Sequence, residues 1–398
     1  MLKCDLLIDS KDIKSTISKL KNEKDYTILL DITIIDYLKF PDITPSRFAV
    51  VYILRDASFK NQISIKTYID DNTLEVDSLC YLYSAANWAE REAYDQYGIR
   101  FKGHPNLKRV LNHHQFVGHP LRKDYEITKG QICTHTEDLM DEMNPLLKQK
   151  GYTPEDIDDL MLLNVGPSHP ASHGTIRNFV AMECETITAC VTEIGYLHRG
   201  FEKACENHTY SQVIPYTDRL NYCSAILNNI GYSKAVEEML NIDITARAKM
   251  IRIIIGELSR IIDHLVCNAA NMVDLGGLTN FWYLFAPRDM AYDLLSKLTG
   301  ARLTNTYTRI GGLEFDLYKG FDEDLANVLK ETEIAIDDAL SLIAHNKIFL
   351  DRTQDVGVIK ADFALQHGIT GPNLRAAGIA HDLEKTNLIM VMRILILT

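Results

Sequence analysis

The side chains best suited to chemistry lie in a few short polar segments in the second half of the chain. In NVGPSHPASHG (164–174), His169 and His173 stand four residues apart, a spacing that would suit a metal ion on a helix. Prolines and glycines surround both histidines, so the segment is predicted to form a turn or hairpin instead. No CxxC or HExxH motif occurs in the chain, and a metal site is therefore not predicted. From the residues alone, the two histidines are equally well explained as structural hydrogen-bonding groups.

Two further segments concentrate polar and aromatic side chains directly after apolar runs. They are GYLHRGFEK (195–203) and IPYTDRLNY (214–222), and their composition is typical of the lining of a cavity. The alternative is that Asp218 and Arg219 pair with each other at the surface, where such a pair contributes little stability. Asp274 follows a long apolar run and precedes two glycines, which is also typical of the last turn of a helix.

The elements that must position these groups change character along the chain. Alternating apolar residues predict strands over 26–38 and 47–56, followed by a helix over 84–98 that Ser84 caps and Gly98 ends. Its apolar face is predicted to contain Ala85, Trp88, Ala89, Ala93 and Tyr97. Helical periods then dominate over 234–241, 245–272, 287–299 and 322–346. We therefore predict an α+β domain over 1–127, a polar linker over 128–159 that glycines and prolines interrupt, and a mainly α domain over 160–387.

Composition excludes several classes of function. The 398 residues carry a net charge of −12 without a basic run, so nucleic acid is not an expected partner. The N-terminus lacks the features of a secretory signal, and no apolar stretch approaches the roughly 20 residues that cross a bilayer. We expect a cytoplasmic chain whose membrane association, if any, is peripheral. The eight cysteines form no CxxC pair and are interpreted as buried free thiols.

Two motifs in the first half resemble a known family. EREAYDQYGIRFKGHPNLKRVL (90–111) and GHPLRKDY (118–125) are similar to the signature of the 30-kDa, or C, subunit of respiratory complex I. Later segments of the chain are similar, in the same order, to the 49-kDa, or D, subunit. They are GPSHPASHG, GYLHRGFEK, YSQVIPYTDRLNY, GELSRIIDHL, DLGGLTNFW, GARLTNTYTRIGG and DRTQDVGVI. The matches extend from about residue 80 to Asn387. The chain therefore resembles a fused C/D subunit of an NADH-quinone oxidoreductase, with a second domain related to [NiFe]-hydrogenase large subunits.

The resemblance assigns roles residue by residue. It implies that His173 and Tyr222 bind the quinone headgroup, that Asp274 partners the histidine, and that His169 belongs to the same quinone-binding motif. Arg199 matches the arginine beside the terminal 4Fe-4S cluster, which the neighbouring B-type subunit holds. The family has lost the cysteine pairs that hold nickel in hydrogenases, in agreement with the absence of CxxC here.

The same resemblance sets expectations for cofactors, partners and location. This chain is expected to bind no cofactor of its own; quinone is the substrate, and NADH and FMN belong to other subunits. The B-type, I-type ferredoxin-like and H-type membrane subunits are the expected partners, at the cytoplasmic side of the inner membrane. Two alternatives stay open: a structural assembly subunit without activity, and a membrane-bound hydrogenase large-subunit relative. Neither the electron donor nor the quinone species is predicted.

Three departures from the family pattern affect these expectations. Thr304 stands where a histidine near the cluster is usual, and because a hydroxyl takes up no proton near neutral pH, a cluster potential less dependent on pH is expected. Thr217 and Asn221 replace the usual Phe and Asp. The last residues, 388–398, depart from the family continuation, and reading them one nucleotide earlier restores it. We therefore expect a C-terminal truncation by frameshift, which resequencing the gene across codon 388 would test.

Overall fold

The computed structural model describes residues 4–172 and 174–382. They form two compact units, one of residues 4–203 and 359–382 and the other of residues 204–358. His173 and the predicted frameshifted tail, 388–398, lie outside the described residues. Over the described ranges, every helix is too short or too polar to pass through a lipid bilayer.

The first unit is built around a four-stranded sheet. Its elements are β1 (Leu6–Ile8), α1 (Ile13–Lys24), β2 (Ile28–Asp36), β3 (Phe48–Arg55), β4 (Gln62–Tyr68), β5 (Glu75–Asp77), α2 (Ala86–Tyr97) and β6 (Arg100–Lys102). The strand order is β1-β4-β3-β2, with β1 parallel to β4 and the other pairs antiparallel, while β5 and β6 form a separate parallel pair. The strands predicted over 26–38 and 47–56 are confirmed as β2 and β3.

One core holds this sheet and its helices together. Ile13, Ile17 and Leu20 follow helical spacing on α1 and are buried against apolar side chains of β2, β3 and β4. Ala85, Ala89, Ala93 and Tyr97 of the predicted α2 face also pack on this core.

Two details of the predicted α2 are wrong. Trp88 is 47% exposed, while Glu90, Arg91, Asp95 and Gln96 are buried. The cap differs as well, since Ala85 precedes the first turn and no side chain caps it, although Gly98 ends the helix in a left-handed conformation as predicted. The physical reason is that the charged side chains of α2 find partners inside the fold, which periodicity does not reveal.

The rest of the first unit continues with α3 (Met140–Gln149), α4 (Pro154–Asp158), β7 (Met161–Val165), β8 (Arg177–Glu183), β9 (Thr186–Glu193) and α5 (Phe201–Cys205). The last three strands form an antiparallel sheet in the order β7-β8-β9, and α3 packs on it through Leu139, Met143 and Leu147. The predicted linker over 128–159 thus contains two helices, with Pro145 inside α3 and Pro154 in the first turn of α4. The boundaries predicted at 127, 159 and 387 stay predictions.

The second unit is mainly helical, as predicted. It contains α6 (Tyr210–Asp218), α7 (Ala225–Leu240), α8 (Ala246–Asp274), α9 (Leu278–Thr299), β10 (Thr308–Arg309), β11 (Gly312–Leu313), α10 (Phe321–Ile343) and α11 (Lys347–Thr353). All four predicted helices are present, but α7 and α9 begin about nine residues earlier than their apolar periods. The chain then returns to the first unit with α12 (Ala361–Gln366) and α13 (Gly371–Ala376), where Ala364 and Leu374 pack with Ile28 and Phe59.

The prediction that the cysteines are buried is wrong. All eight are free thiols, of which five are half-buried and three are exposed. Cys184 lies in the tight turn between β8 and β9, Cys190 points outwards from β9, and Cys267 lies on the exposed face of α8. A small side chain costs little to expose, so its position follows the pattern of its element more than its own hydrophobicity.

Candidate functional site

The predicted site residues of the first unit begin with His169, in the connection between β7 and β8. This antiparallel pair confirms the hairpin predicted for the segment, with a single 3-10 turn at Pro170–Ser172. His169 is exposed, and its backbone carbonyl accepts hydrogen bonds from the N–H and the hydroxyl of Ser172, at 3.1 and 2.7 Å. Gly166 adopts a φ of +102°, and a Cβ there would lie 1.8 Å from the Ile176 carbonyl oxygen, so only glycine fits.

A buried arginine fixes the base of this hairpin. Arg177 on β8 is 7% exposed and donates to the Asn164 side chain of β7 at 2.8 Å. It also donates to the Glu193 carboxylate of β9 at 3.0 Å and to the Glu137 carbonyl at 2.8 Å. Because one guanidinium joins all three strands, the loop that carries His169 rises from a rigid support.

Arg199 lies on a second exposed loop of the same unit, just before α5. Gly195 begins this loop with a φ of +105°, and a Cβ there would lie 2.4 Å from the Leu111 carbonyl oxygen. At the other end, the buried Lys203 ammonium donates to the Arg122 carbonyl at 2.8 Å. His198, Arg199 and Gly200 form the centre of this loop, the HRG loop. One end of the HRG loop is therefore anchored to segment 90–111 and the other end to segment 118–125, the two segments that carry the 30-kDa-type motifs.

Tyr222 begins a short 3-10 turn (Tyr222–Ser224) before α7 in the second unit, and its side chain is 56% exposed. Asp263 on α8 holds this turn from both sides. Its carboxylate accepts the Asn221 amide at 3.0 Å and the Ser224 hydroxyl at 3.1 Å. An aspartate at 221, the residue that the family resemblance leads one to expect, would place two carboxylates together, so Asn221 removes a negative charge from the support of this turn.

Asp274 is the last residue of α8, as its sequence context predicts, and its side chain is exposed. Arg352 donates to the neighbouring Leu275 carbonyl at 2.7 Å and so closes this end of the helix. Asp263 and Asp274 are eleven residues apart, about 16 Å along the helix axis at 1.5 Å per residue. The turn that begins at Tyr222, which Asp263 holds, and Asp274 therefore lie at different levels of α8.

The surface-pair interpretation of Asp218 and Arg219 is wrong. Asp218 is fully buried at the end of α6, and its Oδ2 accepts the Thr306 N–H at 3.3 Å. Arg219 instead donates to the Pro215 carbonyl at 2.7 Å. Burial raises the pKa of the Asp218 carboxyl. No sequence signal for this burial exists within TDRLNY, because adjacent polar residues are usually solvated.

A group of potential metal ligands in the first unit, whose members are far apart in the sequence, is not predicted by any motif. The ligand atoms of Cys80, Glu90 and His104 lie within 4.8 Å of one another. His104 already bonds the Asn87 carbonyl through Nε2 and accepts the Asn106 N–H at Nδ1. Burial raises the pKa of Cys80 to about 12, so its thiol stays protonated. These interactions fit a hydrogen-bonded group inside the fold better than a metal centre.

Glu90 in this group predicts a pH dependence of stability. Burial raises the pKa of Glu90 to about 7, from 4.5 in an exposed chain. The folded state therefore keeps a proton that the unfolded state loses, and stability falls as pH rises from 4.5 through 7. At about 1.4 kcal/mol per pKa unit, the loss is about 3 kcal/mol. Glu90→Gln, which stays neutral, should remove this loss, as measured by urea unfolding at a series of pH values.

The informative quantity is the difference in unfolding free energy between wild type and Glu90→Gln. It should grow in favour of the variant from pH 4.5 to 8. Glu23→Gln, at an exposed position of α1, controls for the loss of a carboxylate. A difference that stays constant with pH would show that Glu90 is ionised in the folded chain throughout.

Comparisons with known proteins cover both units. A family model described as respiratory-chain NADH dehydrogenase, 30 Kd subunit, matches residues 6–131, and one described as the 49 Kd subunit matches residues 274–390. The C/D-type subunit of NADH-quinone oxidoreductase from Bdellovibrio bacteriovorus is 43% identical over 95% of this chain. Proteins of the same name from Chromohalobacter salexigens and Acinetobacter baumannii are 37% and 35% identical over 86% and 92% of the chain. The alignments cover 66%, 59% and 63% of these relatives, so the chain spans less than two thirds of their length.

Proposed function

Since the chain belongs to the family of fused C/D subunits of respiratory-chain NADH dehydrogenase, we propose that it forms part of the quinone-reduction site of a proton-pumping NADH-quinone oxidoreductase. The observation that carries the proposal is the 43% identity to a C/D-type relative along 95% of the chain, together with the 30 Kd and 49 Kd matches in series. The chain acts within the assembled complex and not alone.

The proposed site needs groups that donate hydrogen bonds and protons to a quinone. Reduction of a quinone to a quinol takes up two electrons and two protons. A phenol and a protonated imidazole each donate to one carbonyl, and in our proposal these are Tyr222 and His173. Asp274 orients His173 and favours its protonated form, because a nearby carboxylate stabilises the imidazolium. His169 completes the histidine motif at the headgroup.

The electrons come from outside the chain. We propose that Arg199 lies beside the terminal 4Fe-4S cluster of a B-type partner subunit, where its fixed positive charge stabilises the reduced cluster. The chain itself holds no redox cofactor, and NADH and FMN belong to other subunits. The further partners in this proposal are the I-type ferredoxin-like and H-type membrane subunits, at the cytoplasmic face of the inner membrane. Proton loss from His173, Tyr222 and Asp274 then signals turnover to the membrane pump.

Purification of the tagged chain from membranes of its own host in mild detergent tests this proposal. We expect co-purification of the partner subunits and NADH-driven reduction of a short-chain quinone by the isolated complex. Metal analysis of the same sample separates the alternatives. Nickel would indicate a hydrogenase relative, while incorporation without any quinone reductase activity would indicate a structural assembly subunit.

A further inference from the structure

The segment 359–382, here called the strap, belongs to the first unit although the whole helical unit precedes it in the chain. Two of its side chains, Ala364 and Leu374, are fully buried in one small core with Ile28 of β2 and Phe59. The strap lies in the part of the chain that matches the 49 Kd model, whereas Ile28 and Phe59 lie in the 30 Kd match. The strap therefore joins the two matched parts inside the first unit.

The strap also meets the backbone of the first unit. The Ala85 N–H, just before α2, donates to the Gln366 carbonyl at 3.0 Å. Gly368 adopts a φ of +66°, and a Cβ there would lie 3.1 Å from the Leu29 carbonyl oxygen of β2. The strap is thus fitted closely against β2 and the beginning of α2.

The order of the strap depends on this docking. Its helices, α12 and α13, have six residues each, and helices of that length are not stable in water by themselves. An undocked strap therefore loses its helices, which makes undocking a local unfolding event with its own free energy. A single charged group placed in the joint can shift this equilibrium.

His381 lies at the end of the strap and inside the joint. Its side chain is 3% exposed, and its ring centre lies 4.0 Å from that of Phe59. The elements that pack around Phe59 contribute apolar side chains to this core, Ile28 from β2 and Ala364 from α12. A neutral imidazole suits such a place, whereas a charged imidazolium would lose its hydration there.

The charged groups near the ring also disfavour its protonation. Burial lowers the pKa of His381, and the positive charges of Arg55 on β3 and Arg375 on α13 act in the same direction, whereas Asp382 opposes them. Arg55 is itself 7% exposed. Asp56 follows it in the chain, but the Asp56 carboxylate accepts hydrogen bonds from two side chains of its own turn. Protonation of the ring would therefore add a further positive charge beside two arginines.

We propose that the strap is acid-sensitive: it docks on β2 and Phe59 while the His381 ring is neutral, and it undocks when that ring takes up a proton. Undocking exposes the ring to water, which solvates the added charge. The proton comes from solvent and returns to it when the strap docks again. The proposal concerns the fold of the first unit and does not depend on quinone reduction.

The sign of the pH dependence follows from the two states of the ring. In the undocked strap His381 has an ordinary pKa near 6.5, while in the docked strap its pKa is lower. The undocked form therefore binds more protons as pH falls below about 6.5, and docking weakens over that range. One such group should raise the undocked population by up to about tenfold between pH 7.5 and 5.5.

Amide hydrogen exchange of the full chain at pH 7.5 and 5.5, corrected for the intrinsic exchange rate at each pH, tests the proposal. The Ile369 N–H reports on the strap, because it donates to the Ala364 carbonyl at 2.9 Å. Its protection should fall by up to about tenfold at the lower pH, while amides of β3 keep theirs. Unchanged protection in the strap, or an equal fall in β3, would overturn the proposal.

Two histidine variants identify the titrating group. His381→Phe keeps an aromatic ring against Phe59 but takes up no proton, so protection of the strap should be the same at both pH values. His367→Phe is the matched control, because His367 lies on the same strap, is exposed and stacks on Phe363 at 3.8 Å. It should keep the pH dependence of the wild type. A wild-type pH dependence in His381→Phe would mean that another group titrates, and the proposal would fail.

A charge variant tests the joint without replacing the ring. Arg375 is exposed, and its guanidinium donates to the His381 carbonyl at 3.3 Å. Arg375→Gln removes a positive charge near the ring, so the docked ring binds a proton more readily and the fall in protection between pH 7.5 and 5.5 should become smaller. Arg375→Lys keeps the charge and should behave like the wild type. Equal pH dependence in the two variants would contradict the proposed control of docking by charge at the ring.

Discussion

Replacing Tyr222 with phenylalanine should lower the turnover of quinone reduction in the assembled complex by about 100-fold or more, the usual contribution of a positioned proton donor. The variant removes one hydroxyl from a side chain that is 56% exposed, so the fold should not change. The loss should appear mainly in kcat, because the phenol donates most strongly when negative charge develops on the quinone oxygen. Steady-state kinetics with a short-chain quinone measures both parameters.

Tyr81→Phe provides the matched control for this prediction. Tyr81 is 61% exposed on the first unit and has no proposed role, so its variant should turn over like the wild type. A second variant, Asp263→Asn, tests the support of the tyrosine, because it weakens the bonds to Asn221 and Ser224 without altering the phenol. It should reduce turnover less than Tyr222→Phe. Wild-type turnover in Tyr222→Phe would refute the proposed role of Tyr222.

Much of the fold was predictable because hydrophobic periodicity reports burial directly. β2 largely alternates between buried and exposed residues, β3 is an apolar strand that is buried almost throughout, and α8 keeps a buried apolar face from Ile251 to Ala269. The errors occur where tertiary contacts override local pattern. Pro287 lies inside α9, although its position in the sequence favoured a helix start. Asn229 and Gly231 interrupt the apolar pattern in the first half of α7, although Ile226 and Ile230 there are buried in the core. Asn229 is buried because its side chain accepts the Thr217 hydroxyl.

The features of the candidate site also divide into those that local sequence predicts and those that depend on tertiary contacts. The hairpin, the glycines at which a Cβ does not fit and the position of Asp274 at the end of α8 follow from local sequence. The supports do not, because Arg177, Asp263 and Asp95 act on residues 13 or more positions away. The buried Asp218 could not be predicted either, since nothing adjacent to it in the sequence indicates that the segment 305–312 covers it. Sequence patterns thus locate chemical groups more readily than the contacts that tune them.

Asp95→Asn should destabilise the first unit by about 3–5 kcal/mol, the usual cost of breaking a buried ion pair. The Asp95 side chain is fully buried and pairs with Arg109 at 2.6 Å. It also accepts the backbone N–H groups of Val110, Leu111 and Asn112 at 3.2, 2.9 and 2.8 Å. An amide in its place leaves the arginine charge unbalanced. Its NH2 group must also face either the guanidinium or the three backbone N–H groups, all of which are donors. Urea unfolding followed by circular dichroism measures the loss.

Asp124→Asn is the matched control, because Asp124 also pairs with an arginine. Its side chain is 51% exposed and lies 2.8 Å from Arg47, so the pair is screened by water and contributes at most about 1 kcal/mol. The two aspartate variants should therefore differ by at least about 2 kcal/mol. Equal losses would mean that the Asp95 pair is no more than a surface interaction.

The Asp95 variant should also loosen the HRG loop. Asp95 holds the backbone of residues 110–112, and the Leu111 carbonyl oxygen is the atom that a Cβ on Gly195 would meet at 2.4 Å. Asp95 thus supports the surface on which the loop that carries Arg199 begins. Hydrogen exchange of residues 195–200 should accelerate in Asp95→Asn but not in Asp124→Asn. If exchange accelerates only in residues 109–112, Asp95 stabilises its own loop and the proposed arginine is positioned independently of it.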